Sequence, residues 1–204
     1  MPKGFSEIEK DKINKALLET GIKLFSQYGI KKTSVADITQ AVGISQGSFY
    51  NFYLSKEALF FAVLEMEETR IRKELVLEDG FSSSNTRENI KRLMQWALRI
   101  IEEHPLIRQL YQKNEMELLF RKLPQEDVTK HLMSDTDFML PLIMKWQDNG
   151  LITDKKPEVI VGLLRTVLLL PFNKDIIGET VYQQTTDMLI EYVAEGLCKG
   201  ASET

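Results

Sequence analysis

The sequence predicts an all-α chain: an N-terminal three-helix head containing a helix-turn-helix, and a C-terminal helical body. Three observations carry this. Hydrophobic residues make up 43% of the 204 positions, enough for a sizeable core. Only 6 Pro and 11 Gly punctuate the chain. Apolar residues recur at helical spacing, whereas the β-branched alternation of strands is scarce, which excludes winged and two-sheet readers.

Residues 1–8 read as a frayed tail. A first helix is expected from about Glu9 to Tyr28, with Ile13, Leu17, Leu24, Phe25 and Tyr28 facing inward and Gly29 ending it. Thr33 and Ser34 are cap residues for a second helix whose apolar face is Val35, Ile38, Ala41 and Val42. Gly43 stops that helix, and Ser45 caps a third, Gln46 to about Asn51. Two short helices joined by a tight Gly-containing turn form the helix-turn-helix pattern. A long helix follows from about Lys56 to Leu77 and serves as the mechanical link from head to body. Glu78–Asn85 is a loop. Asn85 or Thr86 caps the next helix, which presents Ile90, Leu93, Met94, Ala97, Leu98 and Ile101, is flanked by Trp96, and runs to about Glu103. His104–Pro105 breaks it. An amphipathic piece, Leu106 to about Leu123, ends at Pro124. Glu126–Asn149 is helical with Pro141 inside, and Gly150 stops it. Pro157 opens a helix so apolar that burial on several sides is expected. PFNKDIIG is a connector, and the last helix spans about Glu179 to Leu197, with Val181, Thr185, Met188, Leu189, Tyr192 and Val193 on one seam.

The third helix is odd as a core element. Only Phe49 and Phe52 are apolar enough to bury; Gln46, Gly47, Ser48, Tyr50 and Asn51 are small or polar. Gly47 costs about 1 kcal/mol against Ala in a helix. Small side chains allow close approach to a surface, and Gln, Ser and Asn carry the donors and acceptors that read base edges. Lys56 stands at the start of the next helix, after Ser55, where a cation faces the positive end of the helix dipole. An anion such as a DNA phosphate is the expected complement.

Gly29, Thr33, Val35, Asp37, Ile38, Ala41, Gly43, Ser45, Gly47, Phe49, Tyr50, Lys56, Glu57 and Leu59 together resemble the N-terminal signature of the TetR family of bacterial transcriptional regulators, over roughly residues 12–62. The resemblance implies a DNA-binding head on a helical ligand-binding and dimerisation body, here 9–55 and 56–204. It makes Thr33, Ser34, Gln46, Gly47, Ser48, Tyr50, Asn51 and Lys56 the candidate DNA-binding residues. Thr33, Tyr50 and Lys56 fall at phosphates, Gln46, Gly47 and Ser48 at bases, and Asn51 at either. Two departures concern packing: Tyr53 stands where the family usually has Phe, and Gly21 where it usually has Ala.

The net charge of −4 is unevenly spread. Residues 1–60 hold eight Lys and Arg against six Asp and Glu, a net +2; the rest holds 18 against 24, a net −6. A weakly basic head on an acidic body fits DNA contact through the head. A single cysteine, Cys198, leaves no intrachain disulfide or Cys-rich metal site, and His104 and His131 lack partners at ligand spacing. No catalytic or nucleotide-binding motif occurs, so no enzyme, cofactor or metal is expected. No signal peptide or membrane-spanning run is read, and a cytoplasmic location follows. The body helices near 157–170 and 179–197 are the expected homodimer surface. Trp96, Tyr111, Met116, Phe120, Phe138, Met139, Trp146 and Arg165 are the candidate ligand-binding residues, beside Met133 and Met144 in the same region. The function read is a ligand-responsive regulator, a repressor that binds a palindromic operator as a homodimer and is released by a small molecule. The alternative is a helical dimeric interaction protein whose head no longer binds DNA.

Overall fold

The computed structural model describes residues 5–77, 85–110 and 119–199, the side chains of 75–77, 109–110, 131–137 and 199 excepted. Its elements are α1 (Glu7–Lys32), α2 (Val35–Val42), α3 (Gln46–Phe49), α4 (Lys56–Leu77), α5 (Thr86–Glu103), α6 (Pro105–Leu110), α7 (Gln125–Asp148), α8 (Pro157–Leu168), a 3-10 turn (Leu170–Asn173), α9 (Lys174–Ile177) and α10 (Tyr182–Lys199). The fold is all-α, and no strand occurs among the described residues. No helix there is long and apolar enough to cross a membrane. The chain divides into two compact units, Met1–Arg72 with Pro105–Pro124, and Lys73–His104 with Gln125–Thr204.

In the first unit, α1 begins two residues before its expected start because Ser6 and Glu9 form a reciprocal capping box. The predicted break at Gly29 is present as a kink, φ 79°, with the helical run resuming to Lys32. Leu17 and Phe25 are buried as expected. Tyr28, expected beside them, is exposed. α4 lies against α1, with the Phe25 and Phe60 rings edge to face at 5.1 Å. Gly21 is what admits α4: a Cβ on it would stand 2.9 Å from Val63 Cγ2 and 3.3 Å from Phe25 Cε2. The missing methyl at 21, a departure from the family pattern, is thus filled by Val63.

The unit also takes in later chain. α6 packs on α1, with Leu106 and Ile107 buried, and Leu119 is buried further on. Lys122 Nζ donates to Glu57 Oε1 at 2.7 Å, a bond to the first turn of α4 that the sequence does not announce. Glu57 is only 8% exposed. Burial alone would raise its pKa, but the bond from Lys122, a backbone hydrogen bond and the charges of Lys122 and Lys56 outweigh burial and hold it below the ordinary value.

In the second unit, α5 packs along α10 and α8, and α7 along α8. Asn85 caps α5 by accepting from Glu88 N at 3.2 Å. The core joins Ile90, Leu93, Met94 and Leu98 of α5, Ile143 and Trp146 of α7, Ile160, Val161, Leu164 and Val167 of α8, and Ile190, Val193, Ala194 and Leu197 of α10. Lys91 reaches Glu191 at 2.8 Å, and Arg87 pairs with the same carboxylate. The expectation that the 157–168 helix is buried on several sides needs correction. One face enters the core, while Val159 and Leu163 on the other are 60% and 41% exposed. α10 starts at Tyr182, not Glu179, because Gly178, φ 102°, begins a turn that Val181 N closes onto Gly178 O. Of its expected seam, Val181, Thr185, Met188 and Tyr192 are exposed and Val193 is buried. Met144 is also exposed.

Two expectations follow. Gly21→Ala gains helix propensity of about 1 kcal/mol, yet the displaced Val63 methyl on a stiff β-branched side chain should outweigh it, for a net loss of about 1 kcal/mol. In a double-mutant cycle by urea unfolding, Val63→Ala should absorb most of that loss, and independent effects at the two sites would contradict the contact. The second concerns pH. Glu57 has a folded pKa below its ordinary value, so its contribution is present above the ordinary value and is lost as pH falls through the lower folded one. Lys122→Ala leaves burial to raise that pKa. It should cost about 1 kcal/mol at pH 7, discounted because Lys122 is largely exposed, and much less at pH 3. Equal losses at both pH values would rule out this pairing as the cause.

Candidate nucleic-acid interface

The short helices are set by their ends. Ser34 caps α2: its Oγ accepts from Asp37 N at 3.2 Å, and its own N and Oγ donate to Asp37 Oδ2 at 2.9 and 2.6 Å. Those two bonds from Ser34 hold the Asp37 carboxyl below its ordinary value. Gly43 closes α2 in the left-handed region, φ 81°, and its N–H returns to Thr39 O at 2.9 Å. Ser45 caps α3 by accepting from Ser48 N at 3.1 Å. α3 is shorter than expected, ending at Phe49 rather than about Asn51. Asn51 and Phe52 continue as a turn, their N–H groups bonded to Ser48 O and Phe49 O at 3.1 and 2.9 Å.

Phe49 anchors this turn. It is fully buried, edge to face with Tyr50 at 5.5 Å and tilted against Tyr53 at 6.1 Å. Tyr53 hydroxyl donates to Asn14 Oδ1 at 2.7 Å, which accounts for Tyr in place of the family's usual Phe. Burial pushes that phenol up. Phe52 is half-buried, with the Phe5 ring 6.3 Å away. Around the anchor, Gln46, Gly47, Tyr50 and Asn51 are exposed. Ser48 is half-buried and shares a hydrogen bond with Ser45 Oγ at 2.9 Å. A Cβ on Gly47 would meet only Ser45 Oγ, at 3.8 Å, so internal packing does not require glycine there.

Two expected phosphate contacts are placed differently. Thr33 is 2% exposed, and its hydroxyl donates to Gly29 O at 2.8 Å; it closes the end of α1 and is no surface group. Lys56 Nζ donates to Ile30 O at 2.7 Å and Thr33 O at 2.8 Å. Its ammonium thus has inward acceptors in the carbonyls of the α1–α2 junction. Asn14 and Lys122 were missed because each partner lies far off in sequence. The only hint was a tyrosine where a phenylalanine would serve.

Of the candidate ligand residues, Trp96, Phe138 and Met139 are partly buried against the second-unit core, and Trp146 lies within it. Arg165 is half-buried in the last turn of α8. Phe120 is half-buried and belongs to the first unit. Tyr111 and Met116 lie outside the described residues, as does the Met133 side chain.

The comparisons with known proteins agree with this geometry. The family model for bacterial regulatory proteins of the tetR family matches residues 17–63. The HTH-type transcriptional regulator YuxN of Bacillus subtilis is 45% identical over 56 residues, 28% of this chain and 18% of that protein. The first three curated relatives align over 18%, 47% and 32% of their own length, so the chain matches less than half of each. A TetR-family transcriptional regulator from Pectobacterium atrosepticum superposes with a TM-score of 0.73 at 19% identity, over 95% of this chain and 98% of that one. The transcriptional regulator FadR of Bacillus subtilis, in complex with stearoyl-CoA, gives 0.63 at 10% identity over 90% and 98%. At such identities these structures speak for the fold, an all-α chain with an N-terminal helix-turn-helix. The relatives are regulators rather than enzymes. Residues 17–63 thus match the tetR-family model of bacterial regulatory proteins, on a chain whose fold is shared with the solved structures along nearly its whole length.

Proposed function

We propose that the chain is a repressor that binds a palindromic operator as a homodimer and is released by a small molecule bound in its second unit. One observation carries the DNA reading: α3 hangs on a single buried side chain, Phe49, and leaves Gln46, Gly47, Tyr50 and Asn51 to solvent. A helix that contributes so little to the core is of use only for what it presents. Gln46 and Asn51 suit base edges, and Gly47 allows the backbone close to the groove floor. Tyr50, 55% exposed, and Ser34 at the α2 cap fall to phosphates.

The dimer reading rests on apolar residues left exposed on α8 and α10, namely Val159, Leu163, Met188 and Tyr192, with Val181 just before α10. A second copy covers them and supplies the second head that two half-sites about one helical turn apart require. For the effector, Trp96, Phe138 and Met139 are the partly buried apolar side chains at the margin of the second core. They suit an apolar molecule, with Arg165 as the candidate for an anionic group on it. The stearoyl-CoA of the FadR neighbour has that chemistry.

Selection from a random duplex pool at two salt concentrations tests the reading. An inverted repeat should be enriched, more strongly at low salt. Met188→Asp should yield a monomer that no longer selects the full repeat; a dimer that persists would remove α10 from the interface. Gly47→Ala separates stability from function. It should raise the head's stability by up to about 1 kcal/mol, since the added methyl meets open space, while weakening operator binding. Undiminished binding would mean that α3 does not lie close to the groove.

A further inference from the structure

We propose that the N-terminal end of α1 is a two-point clamp on the reading helix, with Asn14 and Phe5 as positioning residues for operator recognition. The inference rests on the DNA reading above and concerns side chains that this reading leaves off the duplex. α3 ends at Phe49, and the exposed Tyr50 and Asn51 are followed by two aromatic residues, Phe52 and Tyr53. Each of the two turns to the start of the chain by a different contact. Tyr53 hydroxyl donates to Asn14 Oδ1 at 2.7 Å, and the Phe52 ring lies 6.3 Å from that of Phe5. From the Ser6 cap to Asn14 is eight steps of about 1.5 Å, so the two points of attachment stand about 12 Å apart along α1. Adjacent residues fastened at separated points cannot swing as one body about either.

Neither contact is what the local sequence demands. A residue just before a helix cap, as Phe5 is, often packs on an apolar residue at the fourth helical position. Here that position is Lys10, whose ammonium pairs with Glu7 at 2.8 Å. Ser6 and Glu9 cap the helix without the ring, which meets Phe52 instead. Tyr53 carries a hydroxyl into half-buried surroundings, where a phenylalanine would need no partner; Asn14 supplies one. Burial holds this phenol above its ordinary value, so the hydroxyl stays a donor at neutral pH.

Both contacts reach the reading helix through its anchor. The Tyr53 ring stands 6.1 Å from that of Phe49, and Phe52 N and Tyr53 N donate to Phe49 O at 2.9 and 3.1 Å. Phe49 is the buried side chain of α3. Holding residues 52 and 53 therefore holds the end of the helix from which Tyr50 and Asn51 project. Four residues cannot supply that rigidity themselves, and any ordering left to the moment of binding subtracts from operator affinity.

The test uses substitutions that leave the net charge unchanged, so the slope of log affinity against log salt should keep its wild-type value. Tyr53→Phe keeps the ring and removes the bond. It should lose about threefold to tenfold on the selected operator and little on random duplex, measured well below its melting temperature. Asn14→Ala should match it, and the double variant should be no worse than either single one. Phe5→Ala should lose a similar factor on the operator, and Phe5→Leu should recover part of it. A contact of purely structural use lowers the melting temperature and leaves the ratio of operator to random-duplex affinity where it was. That ratio unchanged for either pair would overturn the clamp. So would losses at Asn14 and Tyr53 that multiply in the double variant, because the bond between them would then not carry the effect. A wild-type chain with no operator preference would instead be the failure of the DNA reading, and the clamp's role would fall with it.

Discussion

A helix of four residues cannot hold itself. Nucleating one turn fixes several dihedrals for a single hydrogen bond, so α3 exists only because its surroundings impose it. Those surroundings reduce to few contacts: the Ser45 cap in front, the left-handed Gly43 turn before that, and Phe49 buried beneath. Phe49 meets the rings of Tyr50 and Tyr53, and Tyr53 is tied to α1 through Asn14. The packing of α1 against α4, for its part, depends on the absence of a methyl at Gly21. The chain of dependence at the reading helix runs from Asn14 on the first helix, through two aromatic rings, to the polar side chains at the surface. Each step excludes alternatives more than it adds attraction, which is what a short reading element requires.

Charge is used in the same economical way. In the first unit the closest contacts of Lys56 and Glu57, neighbours in sequence, turn to different partners. The lysine goes to the carbonyls of the α1–α2 junction and the carboxylate to Lys122. Both lie in the first turn of α4, so that turn is tied at once to the start of the helix-turn-helix and to the 105–124 segment. The second unit keeps its own cluster, where Arg87 and Lys91 of α5 hold Glu191 of α10. That cluster sits beside a core already well filled with aliphatic side chains. At such exposed positions the pairs fix the register of two helices more than they stabilise them.

What was legible in the sequence is what local rules determine. The caps at Ser34 and Asn85, the stop at Gly43, the break at Gly29 and the proline that opens α8 all stand where the residue types put them. The inward face of α5 followed from its spacing. What failed needed a partner distant in sequence. Nothing near Lys56 announces that its ammonium meets the carbonyls of residues 30 and 33. Thr33 looked like a surface cap because threonine caps helices; burial made it a bond inside the junction. The apolar α8 looked buried all round because composition counts apolar residues without saying how many neighbours exist to cover them.

That last failure bears on the assembly. A helix with apolar residues on every side is stable in water only if every side is covered, and here α5 and α7 cover one face. Val159 and Leu163 on α8, with Met188 and Tyr192 on α10, remain bare on helices that both belong to the second unit. Scattered apolar residues at a surface need no explanation, whereas several left exposed on two helices in contact mark a candidate interface. The same chain presents a reading helix too short to gather much sequence information alone. Under the homodimer proposed above, one contact answers both needs, because a second copy that covers these residues brings a second reading helix with it. The economy of that solution, with no further residues required, is why a second copy is proposed there rather than an unrelated protein.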